Sequence, residues 1–336
     1  MAANSPTPSG GLVPDGGTSG DSIWSRLYRV LRQLPLWGVV LMWFIPTFSL
    51  FVNSFRPKSG QRGSGWWQVL TAGNQELPAD EQQIINVGEL TLDNYDTVFS
   101  ASQTAALTDS LLNSFAIAIP ATIIPIAIAA FAAYGFAWID FKGREKLFIF
   151  MVALMAVPLQ VALIPLLRLY LGGAHLTLPF LDKTITVFPD FDLAGSTTAV
   201  WLTHTGFAMP FAIFLLHNYI SGLPRDIFES ARIDGADHFT IFWRLVLPLS
   251  VPVLAAFAIF QFLWTWNDYL IAVVMLGSNA DAFPTTVRIA NLAGDFGRYE
   301  HLLPSAAFVQ AFVPLVVFFA LQRFFVRGIL AGSVKG

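Results

Sequence analysis

The chain has 336 residues, of which 55% are hydrophobic and only 12% charged, with 31 phenylalanines and no cysteine. So little polar surface cannot coat a water-soluble body of this size, and the lipid bilayer must act as its solvent. A net charge of −3 gives no basis for nucleic-acid binding, and the missing thiols exclude a disulfide framework, thiol catalysis and thiolate metal sites.

The opening residues are rich in Pro, Gly, Ser and Thr and carry nothing to pack, so a disordered tail is expected over 1–25. They lack the basic start and early apolar run of a cleavable signal peptide. A hydrocarbon core of ~30 Å needs about 20 apolar residues in a helix. Six stretches over 26–336 qualify: Leu36–Phe55, Ser114–Trp138, Leu147–Leu167, Thr197–Tyr219, Leu249–Leu276 and Ser305–Phe325. The fold class is therefore all-α integral membrane, with six transmembrane helices. Pro46, Pro120, Pro125, Pro158, Pro210 and Pro314 fall inside these stretches. Membrane helices tolerate proline where a neighbour satisfies the carbonyl it frees.

Orientation follows from Lys and Arg. With both termini cytoplasmic, twelve of the 19 cations lie inside, and the short loop Asp140–Lys146 alone holds three. Two long segments, 56–106 and 277–304, are then external. Trp66, Trp67 and Tyr95 suit interfacial anchors there, and Arg168 and Arg288 suit the external headgroups.

Between the fourth and fifth spans lies a polar cytoplasmic segment over 220–248. Its pattern predicts two short helices, about Arg225–Ile233 after Pro224 and about Asp237–Leu247 capped by Asp237. Gly235 stands between them, where a left-handed turn is cheapest. Phe239, Phe242, Trp243 and Val246 recur at helical spacing and form a stripe too short to span a membrane but suited to a groove. Pro248 then opens the next span, where an N-terminal proline is tolerated. An amphipathic piece lying on lipid headgroups has the same periodicity.

The punctuation separates these readings. Glu229, Ser230, Ala231, Gly235, Leu245, Leu247 and Pro248 resemble the EAA motif of membrane subunits of bacterial ABC importers, with Ser230 and Leu245 as small departures from its pattern. The chain is similar to the carbohydrate branch of that family, the MalG-like permeases, over roughly 26–336. Ser54–Gly60, Thr91–Phe99, Trp264–Ala272 and the tail Phe324–Gly336 carry this likeness. Ser64–Trp67, in an enlarged first external loop, resembles α-glucoside permeases in particular. The resemblance implies a type I ABC importer permease fold in a bacterial plasma (inner) membrane. It also implies several partners: a second homologous permease subunit, a dimer of ATP-binding cassette ATPases, an extracytoplasmic substrate-binding protein and a di- or oligosaccharide. The polar segment would be the loop that couples the permease to the ATPase.

The chain contains no GxxxxGK phosphate loop followed by Ser or Thr. ATP would be used by the partner, with no cofactor bound directly and no catalytic residue here. Glu229 and Asp234 can meet basic groups on the ATPase rim, while Phe239 and Phe242 can supply contact area. Local pairing of Glu229 with Arg225 or Arg232 is the structural alternative. For the substrate path, Trp264 and Trp266 suit sugar-ring faces, and Asn267 and Asp268 suit hydroxyls. The five histidines show no metal-ligand spacing, and His204 and His217 read as packing or interfacial residues. An ion-coupled transporter or channel working without an ATPase is the competing function; it needs neither the hook nor a partner.

Overall fold

The computed structural model describes residues 23–71, 76–80, 83–86, 88–100, 107–178, 183–294 and 297–333. The expected tail lies almost wholly outside them, although helix is already present from Ile23. The first compact unit runs to Leu50 and consists of most of α1 (Ile23–Ser54). Its exposed surface includes Leu36, Trp37, Met42 and Trp43, an apolar sheath of the kind a bilayer solvates.

The second unit, from Phe51 onward, opens with α2 (Lys58–Gly63), α3 (Gln68–Thr71), a hairpin of β1 (Glu76–Asp80) with β2 (Gln83–Asn86), and α4 (Asp93–Phe99). The long helix α5 (Thr108–Trp138) follows, then α6 (Arg144–Ala153), α7 (Leu159–Gly172) and a second antiparallel hairpin, β3 (Ala174–Leu178) with β4 (Lys183–Phe188). Next come α8 (Thr197–Ile220), α9 (Arg225–Ile233), α10 (His238–Ile241), α11 (Leu247–Leu249), α12 (Val251–Trp266), α13 (Leu270–Leu276), α14 (Thr285–Gly294) and α15 (Leu303–Ser333). The helices α5, α8, α12 and α15 form the packed centre, and the two hairpins are additions that helical periodicity could not reveal.

The six expected spans appear as four helices long enough to cross (Leu31–Ser54, Thr108–Trp138, Thr197–Ile220 and Glu300–Gln322) and two bent pairs. The third is broken between Ala156 and Leu159, with a bend of 103°. Val157 is extended, as a residue before proline prefers, and Pro158 caps α7. The fifth bends by 70° at Ser250, stops at Trp266, and resumes as α13. Pro248 therefore lies inside the helical stretch His238–Leu249 instead of opening the span, and Pro252 takes the first-turn position of α12.

Two prolines inside unbroken helices are compensated by name. Pro125 frees the carbonyl of Ala121, which accepts a 3.0 Å bond from Gln261 Nε2 on α12. Pro314 frees the carbonyl of Gln310, which accepts the indole N–H of Trp266 at 3.0 Å. The Gln310 amide in turn donates to Trp266 O at 3.1 Å, a carbonyl left over where α12 ends. Both of these carbonyls are thus met from a neighbouring helix.

The segments expected to be external are anchored rather than loose. Arg56 is buried, and its guanidinium donates to Gly60 O at 2.7 Å, Asn53 Oδ1 at 3.0 Å and the Ser64 hydroxyl. Burial holds its pKa below the usual value. From α2, Arg62 reaches Gly297 O at 2.8 Å and Gln61 reaches His301 O at 2.9 Å, tying the first long segment to the turn before α15. Tyr95, expected at the lipid interface, instead donates to Ser54 Oγ at 2.8 Å and packs on Phe55. Arg288 donates to Ser110 Oγ and Ala280 O, both at 3.2 Å, and so braces α14 on α5 in place of facing headgroups.

Candidate functional site

The hook forms as the sequence predicts around its glycine. Helix α9 closes through Gly235, whose φ is +81°. Gly235 N–H donates to Arg232 O at 3.0 Å and Ala236 N–H to Ala231 O at 2.9 Å, the paired bonds of a left-handed helix terminus. Asp237 then starts the next helix, its carboxylate accepting the Thr240 amide at 2.8 Å. The Thr240 hydroxyl and amide together hold the Asp237 carboxyl below the usual Asp range. Beyond Ile241 the chain runs through one wide π turn, Phe242–Val246, into α11. A cleft of about 390 Å³ opens between the two arms, lined by Ala231, Asp234, Gly235, Ala236, Thr240, Ile241, Arg244 and Leu245.

The expected hook residues divide by exposure. Glu229, Ser230, Asp234 and Gly235 are exposed, and Ala231, Leu245 and Leu247 are half-buried against the bundle, with Pro248 outside. Among the described residues the one carboxylate–guanidinium ion pair is Arg144–Asp140, so Glu229 is not held by Arg225 or Arg232. Phe239 is 66% exposed, but Phe242 is 3% exposed and cannot offer contact area to a partner. The apolar stripe splits because Phe239 and Trp243 share one face by i, i+4 spacing while Phe242 and Val246 share another. Sequence reasoning missed Ile233, which is 86% exposed at the tip. It lies five residues after the buried Phe228, about 140° around the helix, so it cannot share that buried face.

Three aromatic residues on α5, at spacings of three and four, hold the hook. Phe131 stacks on Phe242 with centroids 4.3 Å apart, Tyr134 Oη lies 2.8 Å from His238 Nδ1, and Trp138 stacks on Phe228 at 3.7 Å. The Trp138 indole also donates to Ile220 O at 3.2 Å. The other end of α5 lies beside the break in the fifth span: Ser114 Oγ is 2.9 Å from Thr285 Oγ1, and Ser114 and Ile117 line a small interior space with His204 and Asp268.

At that break Asn267 ends α12, its side chain donating to Leu263 O at 2.8 Å while remaining exposed. The Asp268 carboxylate accepts the Ala272 amide at 3.0 Å, and its carbonyl accepts the Thr286 hydroxyl at 2.6 Å. Trp264 is half-buried, edge-on to His204. Trp266 is 2% exposed, packed between Phe115 and Phe262 and committed to Gln310. It is a structural residue, so the expectation of a sugar-stacking face fails there for want of accessible ring. An apolar cavity of about 340 Å³ lies between the Pro158 break and α8, lined by residues that include Met155, Gly206, Phe207 and Phe211; it contains none of the four expected path residues.

Residues 125–331 match the family described as "Binding-protein-dependent transport system inner membrane component". The chain is 45% identical over 315 residues to the osmoprotective compounds uptake permease protein GgtD of Synechocystis sp., covering 93% of this chain and 95% of that one. It is 40% identical to the alpha-glucoside transport system permease protein AglG of Rhizobium meliloti, covering 91% and 99% respectively. The solved bacterial ABC transporter involved in import of the acidic polysaccharide alginate has a chain of similar fold, with TM-score 0.66, 17% identity and coverage of 90% and 98%. The matched family segment contains the hook, its α5 contacts from Phe131 onward and the α12–α13 break, and with it the chain belongs to the binding-protein-dependent transport system inner membrane components, as a multi-pass permease subunit of an ABC importer.

Proposed function

We propose that this subunit translocates a di- or oligosaccharide, with α-glucosides as the leading class. It would work beside a second permease, two ATPase subunits and an external binding protein. Support for the substrate comes from the relative named for alpha-glucoside transport and its coverage of nearly the whole chain. The relative named for osmoprotective compounds, at 45% identity, favours uptake of such a compound as a second reading.

The observation that carries the mechanism is the double attachment of α5. Its last turns are latched to the hook by three aromatic contacts, and its first turns line the break at Asp268. In this reading the hook faces the cytoplasm and docks on the ATPase through Glu229, Asp234, Ile233 and Phe239. ATP-driven closure of the motor moves the hook, α5 carries the displacement, and the α12–α13 region alternates between outward and inward access. Asn267, Asp268 and Trp264 are the path residues retained in this proposal. Hydrolysis belongs to the partner, since the chain has no phosphate loop. An ion-coupled mechanism would leave the exposed carboxylates and apolar tip of the hook without a role.

Uptake of radiolabelled α-glucoside and of a labelled osmoprotectant, in a strain lacking this chain and in the complemented strain, tests the substrate. Loss and recovery of α-glucoside uptake is the expected result. Recovery of osmoprotectant uptake alone would establish the second reading, and recovery of neither would remove both.

A further inference from the structure

His204 on α8 has no accessible side-chain surface, and neither ring nitrogen has a hydrogen-bond partner among the described residues. Burial on such terms is unfavourable unless a partner compensates. Among the described residues the one carboxylate within 4 Å of the ring is that of Asp268, with Oδ2 3.6 Å from His204 Nε2 on a side chain only 12% exposed. That separation is within ion-pair reach but too long for a hydrogen bond. Trp264 sets the plane of the imidazole, edge-on at 5.0 Å.

The space beside the pair, about 10 Å³, is lined by Ser114, Ile117, Val200, Thr265, Trp266, Ala272 and Pro284 together with His204 and Asp268. It is at the lower limit for one water, and its lining holds no other titratable group. Ser114 is already engaged with Thr285. Asp268 is thus the one carboxylate among the residues lining this space, and it sits at the point where the fifth span is interrupted.

We propose that His204 is a positioning residue for the solute path: its Nε2–H donates to Asp268, holding that carboxylate on the first turn of α13 and keeping Asn267 and Tyr269 turned outward from the break. A relative movement of α8 and α13 of less than about 1 Å turns the present separation into a hydrogen bond, so the bond forms in one of the two transport states. The inference rests on reading the α12–α13 break as part of the path.

The test compares His204→Gln, His204→Asn and His204→Leu in the assembled importer in proteoliposomes. Glutamine keeps an N–H close to the Nε2 position, asparagine is too short to reach, and leucine fills the space without a donor. His204→Gln is expected to keep at least about half of wild-type uptake, and the other two to lose roughly tenfold with unchanged affinity for the loaded binding protein. Wild-type uptake in His204→Leu, or equal losses in the Gln and Leu variants, would overturn the proposal. Hydrogen exchange at Ala272 decides the matter without any solute and without the Leu variant, and so stands apart from the sugar assignment. Protection must survive in His204→Gln and fall in His204→Asn; equal protection in both overturns the role.

Discussion

The indole of Trp138 lies against the ring of Phe228, with centroids 3.7 Å apart and planes 17° from parallel. One ring ends a 31-residue helix, about 46 Å long at 1.5 Å per residue; the other is the buried side chain of the hook helix. In the mechanism proposed above, this stack would deliver a displacement of the hook to α5, whose opposite end borders the interrupted fifth span.

Phe228→Ala removes that stack and a fully buried ring, at a cost of about 3–5 kcal/mol if the site does not collapse. The hook should detach from α5 while membrane insertion stays normal. Nucleotide hydrolysed per solute transported, measured in proteoliposomes, is expected to rise several-fold, and less so in Phe228→Leu. An unchanged ratio would remove α5 from the transmission path.

At Gly235 an added Cβ meets nothing within 4 Å, so the constraint is the backbone alone, with φ at +81°. Substitutions should follow the ease of the left-handed conformation: Asn mild, Ala about 1–2 kcal/mol, and β-branched Val worse. Copurification with the ATPase subunit should weaken in that order. Normal uptake by Gly235→Val would speak against docking through this turn.

Phe239 and Phe242 should separate cleanly. Phe239→Ala leaves thermal stability unchanged and weakens association with the ATPase by ~2 kcal/mol, as for an exposed aromatic anchor. Phe242→Ala removes a buried ring stacked on Phe131 and lowers the melting temperature of the isolated subunit. Thermal denaturation beside a binding titration distinguishes them; the reverse pattern would invert the assignment of faces.

Gln261→Leu strands the Ala121 carbonyl freed by Pro125, a loss of about 1–3 kcal/mol for a buried unsatisfied group. In a Pro125→Ala background the helix supplies its own amide to that carbonyl, and the second substitution should cost less. Denaturation of the four proteins in detergent gives the coupling. Strictly additive losses would show that Gln261 is not compensating the proline.

Asp237 gives the hook a defined acid limit. Its carboxyl titrates below the usual range because the Thr240 hydroxyl and amide bond the charged form. The cap's contribution is therefore present in full above the ordinary Asp value of about 3.9 and disappears as pH falls through the lowered one. Protection of the Thr240 amide, taken relative to its intrinsic exchange rate at each pH, should fall on acidification in the wild type and be flatter with pH in Asp237→Asn. The same acid response in both proteins would place its origin elsewhere.

Much of this was legible in the chain because membrane spans are written as uninterrupted apolar runs and the hook as punctuation. Pro224 and Gly235 bracket α9 as expected, and Asp237 caps the second arm, whose helix starts at His238. Periodicity could not separate Phe239 from Phe242, since which side of a short helix is covered depends on Phe131 and Tyr134, a hundred residues earlier. The role of Trp266 is hidden for a related reason: an aromatic beside Asn267 and Asp268 suits a sugar, but Pro314 frees a carbonyl that its indole satisfies. The bend at Ser250 and the hairpins have no periodic signal at all. His204 carried none either, because a lone histidine in a span acquires meaning only from what the fold sets opposite it.

Dependence on a separate motor is read from solute accumulation in proteoliposomes containing this chain with its permease partner, loaded binding protein and ATP, with and without the ATPase subunit. Uphill uptake is expected only when the ATPase is present, and is expected to be lost when the hook carries Gly235→Val. Concentrative uptake by the permease without any nucleotide-hydrolysing subunit would contradict that dependence.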